Sequence, residues 1–258
     1  MPLSSLPNEL LLLIAENLEP KSGNECARNL AHLLQTNRHF SILLTPLLHE
    51  AALCDKGYLS ALAWAARRGH APLVRLALDK GFDANAATSG IGSDCFYTPL
   101  LWAVEGGNEI LRILLERGAE VNLGVPRFTP LHRATEKNSD AMVELLLDYG
   151  ANVELREDVG LTPLLMARCE KIVRLLLDRG AEVNARTKRG GATALHLACI
   201  RGEESIVRLL LEKGASVTQV DDNGMTPRQQ ATSSGMAVIK ALLVEKEDRI
   251  VCVLGSHD

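Results

Sequence analysis

Residues 129–154 read TPLHRATEKNSDAMVELLLDYGANVE, and the fold of the whole chain follows from this stretch. Thr129 is a side-chain N-cap, and Pro130 suits the first helical position, where its missing N–H would have had no intrahelical acceptor. Thr-Pro therefore opens a helix. Over residues 130–136 the apolar Leu131 and Ala134 share one helical face. Residues 137–139 make a turn, and Val143, Leu146 and Leu147 form the apolar face of a second helix. Gly150 stands where a helix ends in a left-handed residue, a conformation glycine adopts without strain. The chain then extends through Asn152, Val153 and Glu154 toward a loop tip at Gly160.

The pattern recurs. Thr98-Pro99-Leu100, Thr129-Pro130-Leu131-His132, Thr162-Pro163-Leu164, Thr193-Ala194-Leu195-His196 and Thr226-Pro227 follow a degenerate Ser60-Ala61-Leu62, at successive spacings of 38, 31, 33, 31 and 33 residues. Gly81, Gly118, Gly150, Gly180 and Gly214 close the first five copies. One copy cannot bury its own apolar faces, so neighbours must stack. The expected fold is an all-α repeat solenoid of helix-turn-helix units with projecting loops. Composition agrees: apolar residues make up 47% but aromatics only 3%, so Leu, Ala, Val and Ile must build the core, as packed helices allow.

These residues, with Gly118-Ala119-Glu120-Val121-Asn122 and Gly180-Ala181-Glu182-Val183-Asn184, resemble the ankyrin repeat family over about residues 55–245. The resemblance implies six repeats, the first degenerate and the last capping, with residues 246–258 as a C-terminal tail. Three departures carry expectations. Arg228 and Gln229 replace apolar or His positions, as a polar-faced terminal repeat requires. Six residues separate Ala167 from Val173 where nine separate Ala134 from Val143, which predicts a shortened turn and a weak joint in the fourth repeat. The loop at 84–96 is lengthened by Thr88-Ser89-Gly90-Ile91-Gly92-Ser93, a mobile composition.

Residues 1–54 lack the repeat and read as a small helical unit. Leu6-Pro7-Asn8-Glu9-Leu10-Leu11 with Ile14, then Arg28-Asn29-Leu30, Asn37-Arg38-His39-Phe40 and Pro46, resemble an F-box. An F-box-like segment leading into ankyrin repeats is similar to fungal F-box/ankyrin proteins. The resemblance implies a protein-protein interaction module in which Leu6, Pro7, Leu10, Leu11 and Ile14 dock a Skp-family adaptor and its cullin. The repeats would then hold the target of an SCF-like ubiquitin ligase. The alternative is an ankyrin scaffold or inhibitor whose F-box-like helices only cap the solenoid; an enzyme on a repeat fold is the remote third reading.

Catalytic constellations are missing from the sequence. It holds no GxSxG, HExxH or GxxxxGK[ST], and the adjacent carboxylates Glu157-Asp158, Asp221-Asp222 and Glu203-Glu204 read as solvated tips. His132 and His196 fall where the family uses the ring as a strut between loops. No catalytic residue, cofactor or metal is expected. With 28 Lys plus Arg against 32 Asp plus Glu, the net charge of −4 points to neither nucleic acid nor an anionic membrane. The longest apolar run, residues 10–15, is too short to cross a bilayer, and Met1-Pro2-Leu3 does not resemble a secretory leader. Six cysteines without a framework fit a reducing cytoplasmic or nuclear setting, with Cys199 in the core and Cys95 exposed. A monomer is expected.

The target surface is expected along the residues that precede each helix cap: Leu59, Tyr97, Phe128, Leu161, Ala192 and Met225. In this fold they line the concave side at the loop bases, and a largely apolar row suits an interface centre. Trp64, Trp102 and Arg133 extend it from the short helices, with the basic Arg186 and Lys188 and the acidic 154–158 tip as its rim. Packing of each loop-base residue on its own helix is the competing reading.

Overall fold

The computed structural model describes residues 61–79, 81–86, 88–89, 96–124, 128–231 and 236–254. The F-box-like segment with Leu6, Pro7, Leu10, Leu11 and Ile14, together with Leu59 and Cys95, lies outside the described residues. The chain forms two compact bodies, residues 1–130 and 131–258. The described residues form paired helices throughout, as the repeat pattern requires.

In the N-terminal body, α1 (Ala61–Arg68) and α2 (Ala71–Asp79) form one helix pair, α3 (Pro99–Gly106) and α4 (Asn108–Glu116) the next. Helix α1 packs on α3 and α2 on α4, burying Leu62, Ala65, Ala66, Leu100, Leu111 and Leu114. The two first helices meet backbone to backbone. A Cβ on Gly106 would lie 1.8 Å from the Ala66 carbonyl oxygen, so no larger residue fits without moving α1. The lengthened loop closes at its base as a two-residue antiparallel ladder, β1 (Thr88–Ser89) with β2 (Phe96–Tyr97), pairing Thr88 with Tyr97.

The C-terminal body contains α5 (Pro130–Glu136), α6 (Asp140–Asp148), α7 (Pro163–Met166), α8 (Glu170–Asp178), α9 (Ala194–Arg201), α10 (Glu204–Glu212), α11 (Pro227–Gln230) and α12 (Ala237–Leu254). First helices pack in sequence, α7 on α9 and α9 on α11; second helices do the same, α6, α8, α10 and α12.

Local chemistry sets each boundary. The Thr98, Thr162, Thr193 and Thr226 hydroxyls accept the N–H of the third residue onward, and Pro99, Pro163 and Pro227 stand in the first turn. The second helices end in a shared closure: Ala119, Ala151, Ala181 and Ala215 N–H groups reach back to Leu114, Leu146, Leu176 and Leu210 carbonyls, each at about 3.0 Å. This closure needs a left-handed residue, supplied by glycines such as Gly118 at φ +85°.

Two expectations change. The fourth repeat loses residues from its first helix and not from its turn: α7 has four residues, where α5 has seven and α9 eight. Ala167 turns extended, φ −60° and ψ 136°, and ends α7 early. Residues 167–169 then make a turn as long as 137–139 in the third repeat. Residues 246–254, read as the start of a tail, continue α12 to Leu254. Arg228 and Gln229 on α11 are exposed, as their polarity requires.

Candidate protein-binding surface

The residues that precede the helix caps sit on a fixed backbone. Thr98, Thr129, Thr162 and Thr193 at the helix starts are buried, while Tyr97, Phe128, Leu161 and Ala192 just before them, and Met225 before the half-buried Thr226, are half-buried. In the C-terminal body a second device holds each loop base. The Glu157 N–H donates to the Leu161 carbonyl at 3.0 Å, and the Glu157 carboxylate accepts the Leu161 N–H at 3.1 Å. Thr187 does the same for Ala192, at 2.8 and 3.0 Å, and Asp221 for Met225, at 3.0 and 2.9 Å. Glu157 and Asp221 are thus turn braces and not solvated carboxylates. The Met225 N–H holds the Asp221 carboxyl below the usual range, helped by Gln230 and Asn223. Asp158 is exposed, as read, and Asp222 accepts from Arg186 at 3.0 Å.

The two motif histidines tie first helices to the next loop. Both are fully buried. His132 Nε2 lies 3.2 Å from the Leu161 carbonyl and His196 Nε2 lies 3.0 Å from the Met225 carbonyl. His196 Nδ1 accepts the Thr193 N–H at 3.2 Å, so the proton sits on Nε2, which donates to Met225. Burial pushes both imidazoles below their ordinary range, against the carbonyl contacts, which raise it. These rings are struts. The buried Cys199 thiol is likewise core material, pushed up to about 12 by burial.

Tyr97 and Trp102, both named from the sequence, come together. Their rings stack with centroids 4.8 Å apart at 29°, and Arg67 of α1 lies 4.8 Å over the same indole. Phe128 belongs to the same body, half-buried. In the C-terminal body the positions equivalent to Trp102 are Arg133, Met166 and Leu197, all half-buried, two of them apolar. Arg133 pairs with Glu136 at 2.9 Å. Arg186 is spent on Asp222, and Lys188 is exposed with its stem against Gly160, where a Cβ would come within 2.2 Å of the Lys188 Cβ. Of the tip read as basic, Lys188 and Arg189 are exposed.

Sequence reasoning missed Arg67, Arg156 and the Arg201–Glu203 pair. Arg156 donates to the Gly160 and Arg186 carbonyls at 2.9 and 2.7 Å and clamps two neighbouring loops. Arg201 donates to the Ala167 carbonyl, at the end of the short α7, at 3.3 Å and lies 3.8 Å from Glu203. Burial pushes the Glu203 carboxyl up, opposed by Arg201 and Arg168. Among the described residues no group of His, Cys, Asp and Glu could hold a metal, and no helix is long and apolar enough to cross a membrane.

The repeated helix pairs, tied through loop-base turns and His struts, define a class of protein-protein interaction module. The family of ankyrin repeats (3 copies) matches residues 10–125, 123–187 and 185–252, and the chain belongs to it. It is 34% identical over 206 residues to a protein of Danio rerio named as a palmitoyltransferase, a match covering 76% of this chain and 31% of that protein. It is 38% identical over 109 residues to the human ankyrin repeat and KH domain-containing protein 1, covering 40% of this chain and 4% of that one. Over 106 residues it is 36% identical to ankyrin repeat and SOCS box protein 11 of Danio rerio, 41% and 34% of the two chains. The chain spans about a third or less of the length of these relatives. The repeats make it a protein-protein interaction module.

Proposed function

We propose that the chain is a substrate receptor of an SCF-like cullin ubiquitin ligase, acting by binding and not by catalysis. The observation that supports the target-binding half is made within each body by itself: half-buried apolar side chains stand at the loop bases, Tyr97 and Phe128 in the N-terminal body, and Leu161 and Met225, held by braces and His struts, in the C-terminal one, and apolar side chains on fixed backbone suit an interface centre. The adaptor-binding half rests on the Leu6-Pro7-x-Glu9-Leu10-Leu11 spacing that precedes the repeats, which resembles an F-box. The ankyrin repeat and SOCS box relative also joins such repeats to a second box, by its name. In this reading the chain works as a monomer in the cytoplasm or nucleus.

A second reading has a specific observation behind it. The ankyrin family match begins at residue 10, inside the F-box-like segment, which favours helices that cap the stack and bind no adaptor. Co-purification of the full chain with a Skp-family adaptor and cullin separates the two. Pro7 and Leu11 changed to polar residues should abolish that capture while the melting temperature holds. No capture by the unmodified chain removes the ligase reading and leaves a scaffold or inhibitor. Tyr97 and Phe128 changed together to Ala should weaken a captured target by about 2–4 kcal/mol with the fold intact.

A further inference from the structure

We infer that the Arg67–Trp102–Tyr97 stack of the N-terminal body is an anchoring site for an acidic peptide segment, in which a carboxylate seats on Arg67 and an adjacent apolar side chain lies on the exposed part of the rings. This rests on the target-binding reading above and adds the partner's chemistry to it.

The geometry begins at Gly106. With only hydrogen where a Cβ would strike the Ala66 carbonyl, the ends of α1 and α3 close up, and Arg67, the next residue after Ala66, reaches across onto the indole of Trp102. Its guanidinium carbon stands 4.8 Å from the ring centroid. Tyr97, held at the end of the β1–β2 ladder and beside the buried Thr98 cap, stacks on the same indole. The Trp102 indole N–H is enclosed and finds no acceptor, so stacking and not hydrogen bonding fixes the ring.

Arg67 is thereby oriented without being consumed. It is exposed, and among the described residues its contact is with the indole face. A guanidinium laid over an indole keeps its N–H edge free, and that edge matches the two oxygens of a carboxylate in a way an ammonium does not. Other arginines are spent on the fold: Arg117 of the N-terminal body and Arg133, Arg156, Arg179 and Arg201 of the C-terminal one are each committed to a carboxylate or a carbonyl. Half-buried rings beside a preoriented cation select a peptide in which Asp or Glu neighbours an aromatic or aliphatic residue. The chain's net charge of −4 disfavours a nucleic acid as the source of the anion.

The test uses the full chain and a displayed library of random peptides about twelve residues long, followed by affinities for the enriched peptides by fluorescence anisotropy. The enriched peptides should carry Asp or Glu next to an apolar residue, and added salt should weaken them. Arg67→Gln should lower their affinity about tenfold or more with an unchanged melting temperature, and Arg67→Lys should recover only part of it, because the fork is lost while the charge stays. Peptides without an acidic residue, an affinity unmoved by Arg67→Gln, or a fallen melting temperature with unmoved affinity overturn the anchor. If those peptides instead depend on Phe128 and Leu161, the docking surface stands without its acidic anchor. If no peptide is enriched, both readings fail together.

Discussion

At the third position after the helix-opening residue, the second repeat carries Leu101 while the third and fifth carry His132 and His196. Leu101 is buried and apolar; the two histidines are buried and tie their helices to the following loop through the Leu161 and Met225 carbonyls. The N-terminal body fixes its first helices by close backbone approach at Gly106 and by ring stacking on Trp102, and the C-terminal body by buried hydrogen bonds. One repeat template therefore tolerates two kinds of fastening, because what must be preserved is the spacing between neighbouring helices and loops. Apolar contact is insensitive to pH, whereas a neutral imidazole strut is not.

The most damaging change should be Gly106→Ala. The added Cβ must displace the Ala66 backbone, and overpacking against main chain predicts a loss of about 3 kcal/mol, read as a lowered urea midpoint with an unchanged slope. The same substitution should pull Arg67 off Trp102, seen as a change in indole fluorescence. A midpoint within error of the parent would mean that the two helix ends separate freely, and the contrast between the bodies would lose its basis.

His196→Ala comes next, at about 2 kcal/mol, because in a buried place the Thr193 N–H loses its partner and the Met225 carbonyl loses one of its two, keeping the Asp221 N–H. His196→Gln should restore part of this. The histidines also set a pH dependence. Their folded-state values lie below the ordinary 6.5, so as pH falls below about 6.5 the unfolded chain takes up protons that the folded chain refuses, and stability declines toward the folded value. Glu203 runs the other way. Its raised value makes the folded chain the better proton acceptor, so its penalty grows as pH rises through that value and vanishes below the ordinary carboxyl range. Urea midpoints measured from pH 7.5 to 5 should therefore fall, and a His132→Gln/His196→Gln double variant should flatten the curve.

How much of this was legible follows from how local each cause is. The Thr-Pro starts and the glycine ends stand at fixed spacing, so the repeat pattern exposed them, and the resemblance to ankyrin repeats implied the His struts. The trimmed fourth repeat was visible as missing residues, but a count cannot say whether a helix or a turn is shortened; the extended Ala167 decides that. Glu157 and Asp221 looked solvated because each stands next to another acidic residue, while their partners are backbone N–H groups four residues ahead, invisible as side-chain chemistry. Arg67 and Trp102 are brought together by Gly106, and nothing in the sequence marks that glycine as a point of contact.

Arg201→Met tests the patch over the short α7, with an expected loss of about 1 kcal/mol. The Ala167 carbonyl would lose its donor and Glu203 its nearest cation, at 3.8 Å. Because burial raises the Glu203 carboxyl and a protonated Glu203 no longer needs that cation, the loss should shrink as pH falls toward the carboxyl range. Hydrogen exchange should quicken at residues 163–178 and stay unchanged in the third repeat. If exchange in the parent is already slower at 167–180 than in the second and third repeats, the fourth repeat is not the weak joint.

The smallest effect should come from a feature the two bodies share. Where an arginine precedes a helix-ending glycine it reaches back to the acid two residues before the glycine of the preceding repeat: Arg117 to Asp79 at 2.7 Å in the N-terminal body, Arg179 to Asp148 at 2.8 Å in the C-terminal one. Tyr149 takes this position in the third repeat, so the series of cations is interrupted between Arg117 and Arg179. Both pairs are exposed, with side chains 37–60% accessible, so water and salt screen most of the attraction. Arg117→Ala and Arg179→Ala should each lower stability by at most about 0.5 kcal/mol, equally in the two bodies, and the difference from the parent should vanish in about 1 M salt. An effect several times larger in one body would show that its helix register depends on the surface pair and not on the fastening beneath it. In the N-terminal body that would point to Arg117 sharing the work assigned to Gly106; in the C-terminal body it would point to Arg179 sharing the work assigned to the His struts.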